Sequence, residues 1–258
     1  MDTKKAFSAI IVLLLIINLT LGIYLIVINS GHSQLEDNII YTRTILNHRN
    51  YRVDCLIPSE TLGISSVTFG ENRFSEQSID SLKDSITGEF YIEEETGAMY
   101  FINTGSEAVS EGITGRAGVE AAAENFIKSI GINTDEFILD YYRETGSDSF
   151  ELKYINIGDG GNLYFGSYIE MNITSEGVMN AKIMYPDVVT AEDNMGDGIP
   201  LYTIILSNLV ETGREMSIES IGSGYYSNGP GTVNISWRIR FGDGEERYFD
   251  ASTGLELE

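Results

Sequence analysis

The chain has 258 residues and carries 39 acidic against 16 basic side chains, a formal charge of −23 at pH 7. Such a field repels nucleic acid and anionic lipid headgroups, which excludes a nucleic-acid-binding function. With 42% apolar residues the composition is that of a folded chain, and the single Cys55 excludes an internal disulfide framework and a multi-cysteine metal site.

The first predicted element is an uncharged run of 23 residues, Ala6–Ile28. As a helix it would span roughly 35 Å, more than the ~30 Å hydrocarbon core of a bilayer. Lys4 and Lys5 precede it and the next charge is Glu36. The positive-inside rule therefore predicts a single-pass anchor with a cytoplasmic N-terminus and an extracytoplasmic chain beyond Asn29. The run exceeds the apolar region of a cleaved signal peptide, and Ile26-Val27-Ile28-Asn29-Ser30 offers no small-x-small cleavage site. Asn18 and Gly22 share one helical face with Ile11, Leu15 and Leu25. An amide and a small residue on one stripe suit helix–helix contact in lipid, so these five are the candidate partner-contact residues.

Past this run, 14 basic and 38 acidic residues remain. Leu35, Ile39, Thr42 and Leu46 predict a helix over 34–47. Strands are expected at 52–57 and 64–69, with Cys55 buried in the first as a small hydrophobe. Ser75 is placed to cap a short helix bearing Ile79, Leu82 and Ile86. Strands at 89–93 and 99–103 flank the hairpin signal Glu95-Thr96-Gly97. After a Gly-rich connector at 104–118, Val119, Ala122, Ala123, Phe126 and Ile130 mark the clearest helix, closed by Gly131. Phe137, Leu139 and Tyr141 are expected on one strand face, and Phe150, Leu152 and Tyr154 on another. Strands at 168–174 and 178–185 form a hairpin around Ser175-Glu176-Gly177. A second connector is expected at 186–198, then a helix starting at Pro200 with Leu201, Ile204, Ile205 and Leu209 inward. Strands follow at 217–226 and 233–241. In the second, Val233, Ile235, Trp237, Ile239 and Phe241 should face inward, and Asn234, Ser236, Arg238 and Arg240 outward.

The hairpin glycines Gly97, Gly177 and Gly254 recur about every 80 residues, each after Thr or Glu and an apolar strand. The predicted fold class is α+β: a transmembrane helix, then two to three subdomains of a helix on an antiparallel sheet. The expected boundaries are 1–30 for the N-terminus and anchor, then 31–106, 107–190 and 191–258 for the α+β units.

Catalytic material is sparse. The two histidines, His32 and His48, form no His-Glu-x-x-His pair, and no Gly-x-Ser-x-Gly turn exists. Gly158–Asn162 and Asp193–Gly198 hold oxygen ligands and glycines but not the ligand order of a calcium loop. No catalytic, metal-binding or cofactor-binding residue is expected. The adjacent rings Tyr141-Tyr142 and Tyr225-Tyr226 should lie on opposite sheet faces, leaving one of each pair outward.

The basic N-terminus, single anchor and acidic α+β exterior, with Tyr51-Arg52-Val53-Asp54, Ile57-Pro58 and the strand to Phe69, resemble the YycI regulatory proteins, relatives of YycH. Ile235-Ser236-Trp237-Arg238-Ile239 followed by Tyr248-Phe249-Asp250-Ala251-Ser252-Thr253-Gly254 resembles PepSY modules. The resemblance implies a non-enzymatic, membrane-anchored regulator of a Gram-positive sensor histidine kinase, YycG (WalK), with a YycH-like accessory protein as second partner and cell-wall metabolism as the output. Two other functions remain open: a PepSY-type inhibitor or chaperone of a secreted peptidase, and an anchored cell-wall hydrolase.

Overall fold

The computed structural model describes residues 13, 14, 16–18, 20, 21, 37–83, 86–105, 113–158, 161–192 and 196–257, without the side chains at 190 and 191. The described residues of the apolar run are helical, and the rest of Ala6–Ile28 lies outside the described set. Among the described residues no helix is long and apolar enough to cross a membrane.

The fold is α+β. Helix α1 (residues 37–48) leads into the short strand β1 (Tyr51–Val53), then β2 (Ser66–Asn72), α2 (Glu76–Lys83), β3 (Glu89–Ile92) and β4 (Met99–Ile102). Helix α3 (Gly115–Ser129) precedes β5 (Phe137–Gly146), β6 (Ser149–Ile157), β7 (Leu163–Thr174), β8 (Gly177–Met184) and β9 (Pro186–Glu192). Helix α4 (Leu201–Asn208) is followed by β10 (Met216–Tyr225), β11 (Gly231–Phe241), β12 (Glu246–Asp250) and β13 (Glu256–Leu257).

The three hairpin glycines all sit at positive φ, +70° at Gly97, +124° at Gly177 and +71° at Gly254. That is the conformation their turns require and the reason glycine recurs there.

Hydrogen bonds link the 13 strands into one sheet. One half runs β3-β4-β8-β7-β6-β5, and α2 and α3 cover a single face of it. Phe90, Phe101, Phe126, Ile127, Leu152, Ile169 and Ile183 fill that core. The other half centres on β10-β11-β12, where Leu46 of α1 and Leu201, Ile204 and Ile205 of α4 pack on Ile218, Trp237, Ile239 and Phe249.

The expectation was of antiparallel sheets only. Instead β1 runs parallel to β10, and β10 runs parallel to β7 at Gly224 and Tyr225. The second junction depends on a bare backbone: a Cβ on Gly224 would lie 2.4 Å from the Leu163 carbonyl oxygen.

Local differences have similar causes. The strand expected at 52–57 stops at Val53, beyond which the Asp54 backbone N–H donates to the Ile218 carbonyl and the β10 pairing ends. The connector expected at 186–198 contains β9, which forms because β2 offers an antiparallel edge at Val67–Phe69.

Ile183 is wholly buried beneath α3. Ile183→Ala is expected to cost about 2–4 kcal/mol through lost burial and a residual cavity. Urea unfolding should show a lower midpoint at an unchanged slope.

Candidate functional site

The helices cover one face of the six-strand half. The opposite face carries a line of register partners that crosses every strand. Tyr91 of β3 pairs with Tyr100 of β4, Tyr100 with Lys182 of β8, and Lys182 with Glu170 of β7. Glu170 pairs with Lys153 of β6, and Lys153 with Tyr141 of β5. Directly opposed side chains on one face are neighbours, so six strands contribute to one transverse ladder. It forms the floor of a cleft of about 820 Å³, within the usual range for ligand sites.

At the Tyr141 end, β5 carries a bulge at Asp140: Leu139 faces Tyr154, but Tyr141 faces Lys153. The extra residue turns the following side chains over. Leu139 and Tyr142 thus pack on the helix side, whereas Tyr141 lines the cleft. This corrects the expectation that Phe137, Leu139 and Tyr141 share a face. Tyr141 and Tyr142 do lie on opposite faces, as adjacency requires.

The bulge also delivers the Asp140 carboxylate to β11. Arg238 grips it through both terminal nitrogens at 2.7 Å. Arg240 bonds the same carboxylate and donates to the Asp140 carbonyl at 3.0 Å. Glu246 of β12 accepts from Arg240 Nε at 2.8 Å, from Lys153 Nζ at 2.8 Å and from the Tyr248 hydroxyl at 2.6 Å. Lys153 reaches Glu170 as well, at 3.1 Å. Arg238 also lies over the Phe165 ring, 4.5 Å from its centroid.

Arg238 and Arg240 were expected outward. They do face away from Trp237 and Ile239, but both are buried, with side chains 5% and 7% exposed. On that face Asp140 and Tyr141 of β5 and Phe165 of β7 meet the two guanidiniums, and the cations are tolerated there because the carboxylates of Asp140 and Glu246 pair with them.

Electrostatics follow from this packing. Burial pushes the Glu246 carboxyl up, but Lys153 and Arg238 outweigh it, with hydrogen bonds from Lys153 and Tyr248, and hold it at about 2. Burial opposes the charge on Lys153, yet Glu170 and Glu246 raise its pKa. Burial and the Glu246 carboxylate together push the Tyr248 phenol up.

Of the candidate membrane-contact residues, Asn18 is described, helical and exposed, and Ile11, Leu15, Gly22 and Leu25 lie outside the described set. His48 is exposed at the end of α1. Cys55 is a half-buried free thiol pushed up by burial. Among the described residues, no group of three or more His, Cys, Asp or Glu could hold a metal. Asp159, Gly160 and 193–195 of the two oxygen-rich turns lie outside that set. Tyr225 is buried, and its hydroxyl lies 2.6 Å from that of Ser65. Tyr226 turns the other way and stacks on Tyr248 at 3.7 Å.

Sequence reasoning missed Asp140, Glu246 and the ladder. The hairpin turns held a signal for part of it: fixing Gly97 and Gly177 in their turns sets Tyr91 against Tyr100 and Glu170 against Lys182.

No known family matches the sequence, and no curated protein does. Solved structures that resemble it at low identity include the following two. An uncharacterized protein from Eubacterium rectale is 12% identical, with a TM-score of 0.44 over 80% of this chain and 89% of its own. The C-terminal domain of Bacillus megaterium YpeB is 9% identical, with a TM-score of 0.39 over 73% and 97%. Neither likeness carries residue roles to this chain.

Glu246 ties stability to pH. Its folded value lies below the ordinary 4.5, so its contribution is complete above about 4.5 and is lost as pH falls toward about 2. Glu246→Gln is expected to destabilise the protein by about 3 kcal/mol at pH 7, because buried cations lose a counter-charge. The gap to wild type should narrow between pH 4.5 and 2 in thermal unfolding.

Proposed function

We propose that the chain is a membrane-anchored, non-enzymatic regulator of a sensor histidine kinase of the YycG type. It acts through its N-terminal helix and its extracytoplasmic domain, with a YycH-like accessory protein as a further partner. The observation that carries the non-enzymatic reading is the state of the cleft carboxylates. Glu151 pairs with Arg143, Glu170 with Lys153, and Glu246 with Lys153 and Arg240. Asp140 beside them holds two arginines. General acid–base chemistry works best with a group poised near the working pH. Glu246, held at about 2, is fixed as a charge. Carboxylates tied in this way shape a recognition surface.

The anchor rests on the uncharged length of Ala6–Ile28 and the lysines before it. The kinase and its accessory protein rest on the resemblance to YycI. Regulation is a population shift, in which the chain favours whichever kinase state it binds more tightly. The recurring hairpin with a positive-φ glycine favours a second reading, a PepSY-type inhibitor of a secreted peptidase. That version acts as the soluble exterior alone in a peptidase assay, where a kinase regulator is inert.

Crosslinking of the full-length chain in native membranes tests the leading reading. The kinase should be recovered, and Asn18→Leu combined with Gly22→Leu should lower the yield about threefold or more with membrane insertion unchanged. An unchanged yield would reduce the helix to a tether, and recovery of no kinase would overturn the reading.

A further inference from the structure

Four cations line the cleft, Arg143, Lys153, Lys182 and Arg240, against three carboxylates, Glu151, Glu170 and Glu246. The carboxylates are all engaged, Glu151 by Arg143 and the other two by Lys153 and Arg240. Lys182 is the cation left over. Among the described residues it forms no ion pair, although Glu170 stands opposite it in register and is drawn to Lys153 at 3.1 Å. In a chain of net charge −23 this half-buried ammonium is a local reversal of sign.

The surroundings of Lys182 are those of a receptor for an oxyanion. Its ammonium lies 5.7 Å from the Tyr100 ring centroid and 5.8 Å from that of Tyr168, and it engages both side chains. Both phenol oxygens accept from the ammonium, and Tyr100, which lines the cleft, keeps its own O–H as a further donor. Asn180, two residues along the same strand, also lines the cleft, and its amide oxygen is occupied by the Asn172 amide at 2.8 Å. That contact leaves the Asn180 NH₂ as a donor. On the other side of Tyr100, Tyr91 stacks on it at 5.1 Å with the planes 5° apart, and Tyr91 is 47% exposed. A flat aromatic wall built from Tyr100, one strand from a cation with no carboxylate of its own, and Tyr91, two strands away, matches a ring that carries an anionic group.

We propose that the cleft binds a small ligand bearing a carboxylate or phosphate beside a ring: the oxyanion on Lys182, Tyr100 and Asn180, the ring against Tyr91. The proposal gives the regulator a ligand input but rests on the cleft alone, not on the identity of the kinase partner.

Ligand-observed NMR and calorimetry on the full-length chain in detergent micelles test it, with phenyl phosphate, benzoate and inorganic phosphate as probes. The ringed anions should bind saturably and compete with each other. Lys182→Met should weaken all three by about ten- to a hundredfold, the worth of a charge-assisted hydrogen bond. Tyr91→Ala should weaken the two ringed probes about three- to tenfold and leave inorganic phosphate unchanged. Lys182→Arg should retain binding, and Lys83→Met, on the exposed face of α2, should change nothing. Tighter binding of phenyl phosphate assigns a phosphate source, and tighter binding of benzoate a carboxylate source. Tyr91 is exposed, so its variant reads the site even if Lys182→Met does not fold. No saturable binding of any probe, or equal affinity in the folded Lys182→Met protein, overturns the proposal. Kinase crosslinking in the same variants separates the two ideas: kinase recovery without probe binding removes only the ligand site, and probe binding without kinase recovery removes only the regulator.

Discussion

Two arginines on one strand are buried, and the arrangement of the molecule follows from how their charges are met. An isolated buried guanidinium costs several kcal/mol. Arg238 and Arg240 avoid that cost only because Asp140 arrives from β5 with a bidentate geometry and Glu246 arrives from β12. Asp140 can arrive only because β5 is bulged at that residue. Ion pairing, strand irregularity and the contact between the two halves of the sheet are therefore one constraint.

The same constraint sorts the charges of the cleft. Glu246 draws Lys153 toward the arginines, and Lys153 holds Glu170. Glu170 is thereby withdrawn from Lys182, its neighbour across the β7–β8 ladder. Among the described residues the buried cluster leaves Lys182 without an ion pair at the far end of the chain of pairs, held by phenols beside the stacked tyrosines of β3 and β4. The free sheet face thus divides into a closed end held by the arginine cluster and an open end with an unmatched charge.

Much of the frame was legible in the sequence. The apolar spacing of α3, the inner face of α4 and the three hairpin glycines describe local geometry, and local geometry is what periodicity reports. The alternation in β11 correctly set Trp237 and Ile239 opposite Arg238 and Arg240. Period two states which residues share a face, however, and not whether that face meets solvent. Burial of the arginines depends on a strand nearly 100 residues earlier, and on a bulge that no periodicity announces. The β9 strand and the parallel β1–β10 and β7–β10 pairings escaped for a related reason: each exists because a distant edge offers hydrogen bonds. The site was less legible than the fold, since its residues come from six strands and meet only through register.

The account stands on the claim that Asp140 and Arg238 act as one unit across the sheet. A double-mutant cycle on unfolding free energy with Asp140→Asn and Arg238→Gln measures this directly. The account predicts a coupling energy of about 2–3 kcal/mol, the upper range for residues that share a network. A coupling below about 0.5 kcal/mol, the level of independent sites, would contradict it.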